Sequence, residues 1–159
     1  MIRKYDKEGH WVADIPLENT GEPVLLTANL NGEIVLYDRA SSELILIEQS
    51  SAQRSFGRFD LSEPEQLSCN RNTIWVYDKA NNSTLVYDNL GQFLAEHKGW
   101  VQITQRYGVI TSLPHRVTIE NKVLYASADP INTTLVCNSF CIILHPNCIE
   151  VFRLSDANQ

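Results

Sequence analysis

Four residues near the end of the sequence have the types and spacing that a metal ion could use. They are Cys137, Cys141, His145 and Cys148, in the pattern Cys-x3-Cys-x3-His-x2-Cys. Thiolate sulfur and imidazole nitrogen are the usual ligands of structural zinc. On an extended strand, the two four-residue steps from 137 to 145 would span about 26 Å, so a zinc site would require tight turns at Asn138 and Pro146. Apolar neighbours such as Ile142 and Ile143 favour buried thiols, with a disulfide or a zinc site as the alternatives. We expect no cofactor.

Groups suited to acid–base or nucleophilic catalysis are scattered along the chain. Aspartates recur at Asp6, Asp38, Asp78 and Asp88, and the four histidines are His10, His97, His115 and His145. The sequence has no Ser-His-Asp order, no Gly-x-Ser-x-Gly elbow, no Gly-rich phosphate loop and no His-Glu-x-x-His motif. An aspartate at a turn accepts hydrogen bonds from the backbone. We therefore predict that the recurring aspartates hold turns and that the chain is not an enzyme.

Two groups of side chains are candidates for an interaction surface. Segment 98–112 contains Trp100, Arg106 and Tyr107, which are residue types enriched in interface hot spots. The alternative is that this segment forms a longer outer hairpin packed on its neighbours. Arg54 and Arg58 form a cluster with aromatic residues, which a solvated outer strand explains better than a phosphate or RNA contact.

Positioning these residues requires a regular scaffold, and the sequence supplies one as an internal repeat. Residues 34–48 match residues 74–88 at a constant shift of 40. Glu22-Pro23 recurs as Glu63-Pro64, and residues 82–86 recur as 132–136 at a shift of 50. Each copy alternates short apolar runs with polar turns, which predicts antiparallel strands. A period of about 40 residues is typical of β-propeller blades, which must stack to bury their apolar faces.

The second copy resembles the NHL-type β-propeller repeat. Those repeats read as Val-x-Asp, two residues, Asn, an apolar strand ending in an aromatic residue and Asp, then Gly and an apolar pair. The corresponding residues here are Val76-Tyr77-Asp78, Asn81 or Asn82, Leu85-Val86-Tyr87-Asp88, Gly91 and Phe93-Leu94. The first copy departs at Ser41 and Ser42. The resemblance covers about residues 3–140 and implies a propeller that recognises protein, nucleic acid or sugar, although some members are hydrolases or lyases.

We predict a single all-β domain over residues 1–159, a β-propeller-like array of three full four-stranded antiparallel repeats plus a split partial repeat from the two termini. The expected units are a half copy at about 2–15, full copies at 22–59, 63–97 and 113–146, a C-terminal strand at 148–154 and an insertion at 98–112. Open strand edges are templates for pairing with another chain, so we expect a protein partner or self-association. We also expect strands 2–15 either to pair with residues 148–154 or to be covered by another chain.

Composition narrows the function. The formal net charge of −6 gives no electrostatic reason for nucleic-acid binding. No run of 18 apolar residues predicts a membrane span, and Arg3-Lys4 leads into Tyr5-Asp6 instead of a signal sequence, which favours the cytoplasm. We predict a non-catalytic recognition or scaffolding module of β-propeller type. The alternatives are a propeller-type hydrolase or lyase with an axial carboxylate and histidine site, and a blade segment of a larger surface or secreted protein.

Overall fold

The protein is an all-β molecule, as the sequence predicts. The computed structural model describes residues 1–6, 8–29, 31–58, 60–70, 72–104, 107–137 and 139–154. These residues form seventeen strands and no helix, and every strand pairing among them is antiparallel. Accordingly, no helix that could cross a membrane occurs in this part of the chain.

The strands form five sheets that follow one another in the chain. The N-terminal hairpin consists of β1 (Ile2–Tyr5) and β2 (Trp11–Ile15). Blade 1 consists of β3 (Pro23–Ala28), β4 (Ile34–Asp38), β5 (Glu43–Ile47) and β6 (Gln53–Phe56). Blade 2 consists of β7 (Pro64–Cys69), β8 (Thr73–Asp78), β9 (Ser83–Asp88) and β10 (Phe93–Lys98). Blade 3 consists of β11 (Trp100–Thr104), β12 (Gly108–Leu113), β13 (Arg116–Ile119) and β14 (Lys122–Ala126). Blade 4 consists of β15 (Thr133–Cys137), β16 (Phe140–Leu144) and β17 (Ile149–Arg153).

Alternation of side chains across each strand explains how the blades stack. Between blades 1 and 2, one face of each contributes to a shared core that includes Val35, Leu46, Ile74 and Tyr87. A second core joins the N-terminal hairpin to the other face of blade 1, a third joins blades 2 and 3, and a fourth joins blades 3 and 4. The first strands of successive blades contact one another, β3 with β7, β7 with β11 and β11 with β15. The apolar faces are thus buried between sheets, as the repeat predicts.

Asp38 and Asp78 mark equivalent corners in blades 1 and 2. Both are fully buried at the end of the second strand. The Asp38 carboxylate accepts hydrogen bonds from the backbone N–H groups of Gly21, Glu22 and Ser41. The Asp78 carboxylate accepts the equivalent bonds from the backbone N–H groups of residues 62, 63 and 80. Each aspartate therefore ties the entry of the first strand to the turn after the second, which confirms the predicted structural role.

The structure divides the later part of the chain differently from the sequence prediction. Residues 98–112, expected as an insertion, contain β11 and β12, the first two strands of blade 3. The copy expected at 113–146 spans the outer half of blade 3 and the inner half of blade 4. Repeat units in this region align poorly because Leu113 stands at the end of β12, where Asp38 and Asp78 end the second strands of blades 1 and 2.

The two ends of the described chain do not share a sheet. In the described residues, β1 pairs with β2, and β17 pairs with β16. The expected pairing of strands 2–15 with residues 148–154 is therefore wrong. The hairpin instead packs Ile2 and Ile15 against the core residues of blade 1. Apolar contact with the neighbouring sheet, and not strand pairing, holds the hairpin in place.

Candidate functional site

The aromatic residues predicted for an interaction surface lie inside the molecule. Trp100 is 8% exposed and Tyr107 is 7% exposed. Tyr107 belongs to the core between blades 3 and 4, where its hydroxyl donates to the carbonyl of Leu154 at 3.4 Å. Arg106 lies outside the described residues. The two described aromatic residues therefore pack between blades and do not form an exposed pair.

The two arginines predicted as weaker candidates are neutralised by local carboxylates. Arg54 Nη2 lies 2.7 Å from Glu48 Oε1, and Arg54 Nη1 donates to the Asn89 carbonyl at 3.3 Å. Arg58 Nε lies 3.6 Å from Glu43 Oε1. These pairs favour an outer strand with solvated ion pairs over a phosphate-binding patch.

The predicted metal ligands are only partly brought together. Cys141 is buried in the core between blades 3 and 4, and the side chain of Cys137 lies outside the described part of the chain. His145 and Cys148, in contrast, flank the turn between β16 and β17 and lie close to Glu150. Sequence reasoning missed Glu150, although strand alternation from Cys148 places it on the same face.

A polar cleft lies at one end of the inner strands of blades 2, 3 and 4. Its volume is about 350 Å³. Blades 2, 3 and 4 all contribute to its wall, through Glu65, Gln66, Tyr77, Lys79, Asn82, Trp100, Ser112, Leu113, Pro114, Ile131, Asn132 and Thr133. Clefts where several structural units meet are frequent ligand sites. None of the four histidines is among these lining residues.

A network anchored by Thr84 sets the position of Trp100 in this cleft. The buried Thr84 hydroxyl donates to the Gly99 carbonyl at 2.6 Å and accepts from the backbone N–H of Val101 at 3.0 Å. Gly99 has a φ of +80°, and a Cβ there would lie 2.9 Å from the Ser112 carbonyl oxygen, so a side chain at this position would be strained. The start of β11 is therefore fixed against blade 2, and Trp100 with it.

Polar side chains from different blades meet across the cleft. The Gln66 amide of β7 donates to the Thr133 hydroxyl of β15 at 3.3 Å, which links blade 2 to blade 4. The Tyr77 hydroxyl donates to Asn82 Oδ1 at 3.1 Å, and the Tyr77 and Trp100 rings lie 5.9 Å apart. Trp100 Nε1 is buried and has no hydrogen-bond partner among the described residues. The wall thus combines amide and hydroxyl groups with the rings of Tyr77 and Trp100.

The charges in the cleft are paired. Lys79 Nζ lies 3.0 Å from Glu65 Oε1, and this hydrogen bond raises the pKa of Lys79. Burial and, secondarily, repulsion by the Glu65 carboxylate raise the pKa of Tyr77. Both shifts favour the protonated states that Lys79 and Tyr77 already have at neutral pH.

Comparison with known structures shows which fold the chain has. No protein-family model matches the sequence, and no curated protein matches it either. A streptogramin B lyase structure is similar, with a TM-score of 0.61 and 13% identity, over 96% of this chain and 61% of that protein. A catalytically inactive virginiamycin B lyase from Staphylococcus aureus with quinupristin gives a TM-score of 0.56 at 13% identity, over 98% of this chain and 63% of the lyase. Kluyveromyces lactis Hsv2 gives a TM-score of 0.54 at 11% identity, over 87% of this chain and 48% of Hsv2.

These structures are β-propellers, and the chain has the β-propeller fold. At 13% identity and below, the likeness concerns fold and carries no activity. The chain spans about three fifths of the length of the streptogramin B lyase that it matches.

Proposed function

We propose that the chain is a non-catalytic recognition module of β-propeller type with NHL-like repeats. Its binding site is the cleft between blades 2, 3 and 4, and its ligand is an extended peptide segment of a partner protein. The observation that carries this proposal is the convergence of amide, hydroxyl and aromatic groups from three blades on one cleft. Amide and hydroxyl groups match the alternating donors and acceptors of a peptide backbone.

The electrostatics of the cleft support a peptide over a nucleic acid. Lys79 is its one cationic lining residue among those described, and Glu65 pairs with it. Nucleic-acid sites usually combine several unpaired basic side chains with aromatic rings. A net charge of −6 adds long-range repulsion of phosphates.

The indole N–H of Trp100 would gain a partner from a hydrogen-bond acceptor bound in the cleft. An unpaired buried N–H costs about 1–3 kcal/mol. A small rotation of the indole ring towards a peptide carbonyl in the cleft would satisfy Nε1 and recover part of that cost. The free protein is therefore poised to gain from a ligand that brings an acceptor to this wall.

Selection from a random peptide library on the full chain tests the proposal. Selected peptides should bind with an affinity that falls about tenfold when Gln66→Ala and Lys79→Gln are combined, equivalent to ~1.4 kcal/mol of binding free energy. Lys122→Gln is the matched control, because Lys122 is exposed on β14 and does not line the cleft. Failure to select any peptide, or equal binding by the double variant and the control, would refute it.

The fold similarity to lyases defines the rival function. Two of the similar proteins are named as streptogramin B and virginiamycin B lyases. Incubation of the chain with quinupristin, followed by chromatography, distinguishes the two functions. The proposal requires unchanged quinupristin, whereas enzyme-dependent conversion would establish the lyase alternative.

A further inference from the structure

The turn between β16 and β17 brings three metal-binding side chains together, away from the cleft. His145 and Cys148 flank the Pro146-Asn147 turn, which is closed by a hydrogen bond from the His145 N–H to the Cys148 carbonyl at 2.9 Å. Cys148 directly precedes β17 and is exposed, and Glu150 in β17 accepts a hydrogen bond from Tyr125 of blade 3 at 2.8 Å. The ligand atoms of His145, Cys148 and Glu150 all lie within 4.8 Å of one another.

The orientation of His145 is fixed in the way that metal ligands require. The side chain is only 3% exposed, and its Nδ1 lies 3.0 Å from the Pro130 carbonyl oxygen. A carbonyl can only accept, so Nδ1 carries a proton and the neutral ring has its lone pair on Nε2. A backbone carbonyl that holds the far nitrogen is the usual second contact of a metal-bound histidine. Nε2 therefore faces the cluster as an acceptor.

The Tyr125 hydroxyl contacts two of the three side chains of the cluster. Tyr125 Oη lies 3.2 Å from His145 Nε2 and 2.8 Å from Glu150 Oε1, and Nε2 lies 3.7 Å from that same carboxylate oxygen. The tyrosine has one hydroxyl proton and can donate it to the carboxylate or to the imidazole, but not to both. The Tyr125 hydroxyl proton can therefore serve only one of these two groups at a time. A bound cation would satisfy both.

The donor set selects the cation. We infer that His145, Cys148 and Glu150 bind a zinc ion at the junction of blades 3 and 4. Imidazole nitrogen, thiolate and carboxylate are its ligands in proteins, and the two anionic groups balance its charge. With bonds of about 2.0 Å to nitrogen or oxygen, tetrahedral ligands lie roughly 3.3 Å apart, close to the separation of Nε2 and Oε1. Cys148 is exposed, so its sulfur can adjust and the ion can enter from solvent.

Such an ion would tie the turn before β17 to β17 itself, within blade 4. The three ligands lie on β17 and its preceding turn, while Tyr125 on β14 contacts two of them. Tyr125 also packs its ring on Phe152 at 5.1 Å. Metal binding would therefore stabilise the last hairpin of blade 4, which Tyr125 and Phe152 pack against blade 3, and zinc should raise the melting temperature.

Metal titration of the full chain tests this inference. Reduced protein freed of metal by chelator is titrated with zinc, and separately with cobalt, whose thiolate charge-transfer absorption reports sulfur ligation. The wild type should bind one equivalent, show that absorption and melt at a higher temperature with zinc. Cys148→Ser should abolish the absorption. Cys148→Ser and Glu150→Gln should each weaken zinc binding about tenfold or more. Cys69→Ser is the control because it removes a free thiol outside the cluster and should behave as the wild type.

Two results would overturn the site. One is a wild type that takes up no zinc at micromolar concentration. The other is cobalt absorption and zinc affinity that survive in Cys148→Ser, which would show that other thiols bind the metal. Circular dichroism of each variant without metal separates a lost ligand from a lost fold.

Discussion

Asp38 shows how one buried carboxylate can fix the start of one strand against the end of the next. Burial raises the pKa of Asp38, but hydrogen bonds from the Ser41 hydroxyl and from the backbone N–H groups of Glu22, Gly21 and Ser41 lower it by more. The folded-state pKa therefore lies below the ordinary value of 3.8. An ionised Asp38 thus stabilises the folded protein above that pH, and this contribution is lost as pH falls through the folded-state pKa.

The residue-scale prediction concerns Asp38→Asn. At neutral pH the substitution should lower the free energy of unfolding by about 1–3 kcal/mol, because a neutral amide accepts weaker hydrogen bonds from the same N–H groups. The difference from the wild type should shrink as pH falls below 3.8 through the lowered pKa of Asp38, because the wild-type carboxylate then becomes protonated. Urea denaturation over this pH range measures both effects.

Two further variants sharpen that measurement. Asp78→Asn should cost a similar amount at neutral pH, because Asp78 is equally buried and makes the equivalent bonds. Glu96→Gln, on exposed β10, should leave stability unchanged. A wild-type–variant difference for Asp38→Asn that is absent at neutral pH, or constant down to pH 2, would contradict the role assigned to the carboxylate.

At the scale of elements, Thr84 joins blade 2 to blade 3. Its hydroxyl satisfies the Gly99 carbonyl and the Val101 N–H, both at the start of β11. Thr84→Val keeps the shape but removes both bonds, so the free energy of unfolding should fall by about 1–3 kcal/mol or more. Thr84→Ser retains the hydroxyl and is the matched control. Equal denaturation midpoints for the valine and serine variants would show that these bonds do not hold β11.

The strands of the first two blades could be predicted from the sequence because each copy has an aspartate at the end of its second strand. The hairpins β4–β5 and β8–β9 occur where the match of residues 34–48 to 74–88 predicts them. Asp38 and Asp78 identify the second strand of each copy. Blade 3 has Leu113 at this position instead of an aspartate. Without the aspartate, alternation alone does not show which strand of a blade a segment forms. The match of 132–136 to 82–86 therefore assigned an inner strand, β15, to an outer position.

The candidate sites were less predictable than the fold for a related reason. The cleft depends on contacts between residues far apart in sequence, such as Gln66 with Thr133, and no local pattern indicates them. Residue type suggested Trp100 and Tyr107 for an interaction surface, with a packed hairpin as the alternative, and large aromatic side chains bury well between sheets. At the β16–β17 turn, the sequence indicated His145 and Cys148. Glu150 and Tyr125 become neighbours of this pair only in the folded structure.

At the scale of the whole molecule, the outer face of blade 4 is exposed and apolar. Strand register places Leu135, Ile142 and Val151 in one row, and Leu144 and Ile149 in the next. Leu135 is 52% exposed and Val151 is 58% exposed. Both faces of blades 1 to 3 are packed against neighbouring sheets. Contiguous apolar surface of this kind usually marks an interface.

Binding of a peptide in the cleft is the central claim, and Trp100 offers the most direct reporter of it. The three tryptophans give three indole N–H signals in an ¹H–¹⁵N NMR spectrum, assigned by single substitution to Phe. Trp11 Nε1 donates to Asp14 and Trp75 Nε1 donates to Thr73, whereas Trp100 Nε1 has no partner among the described residues. Addition of a selected peptide should move the Trp100 signal and leave those of Trp11 and Trp75 in place. Saturable peptide binding that leaves the Trp100 signal unmoved would contradict recognition through this cleft.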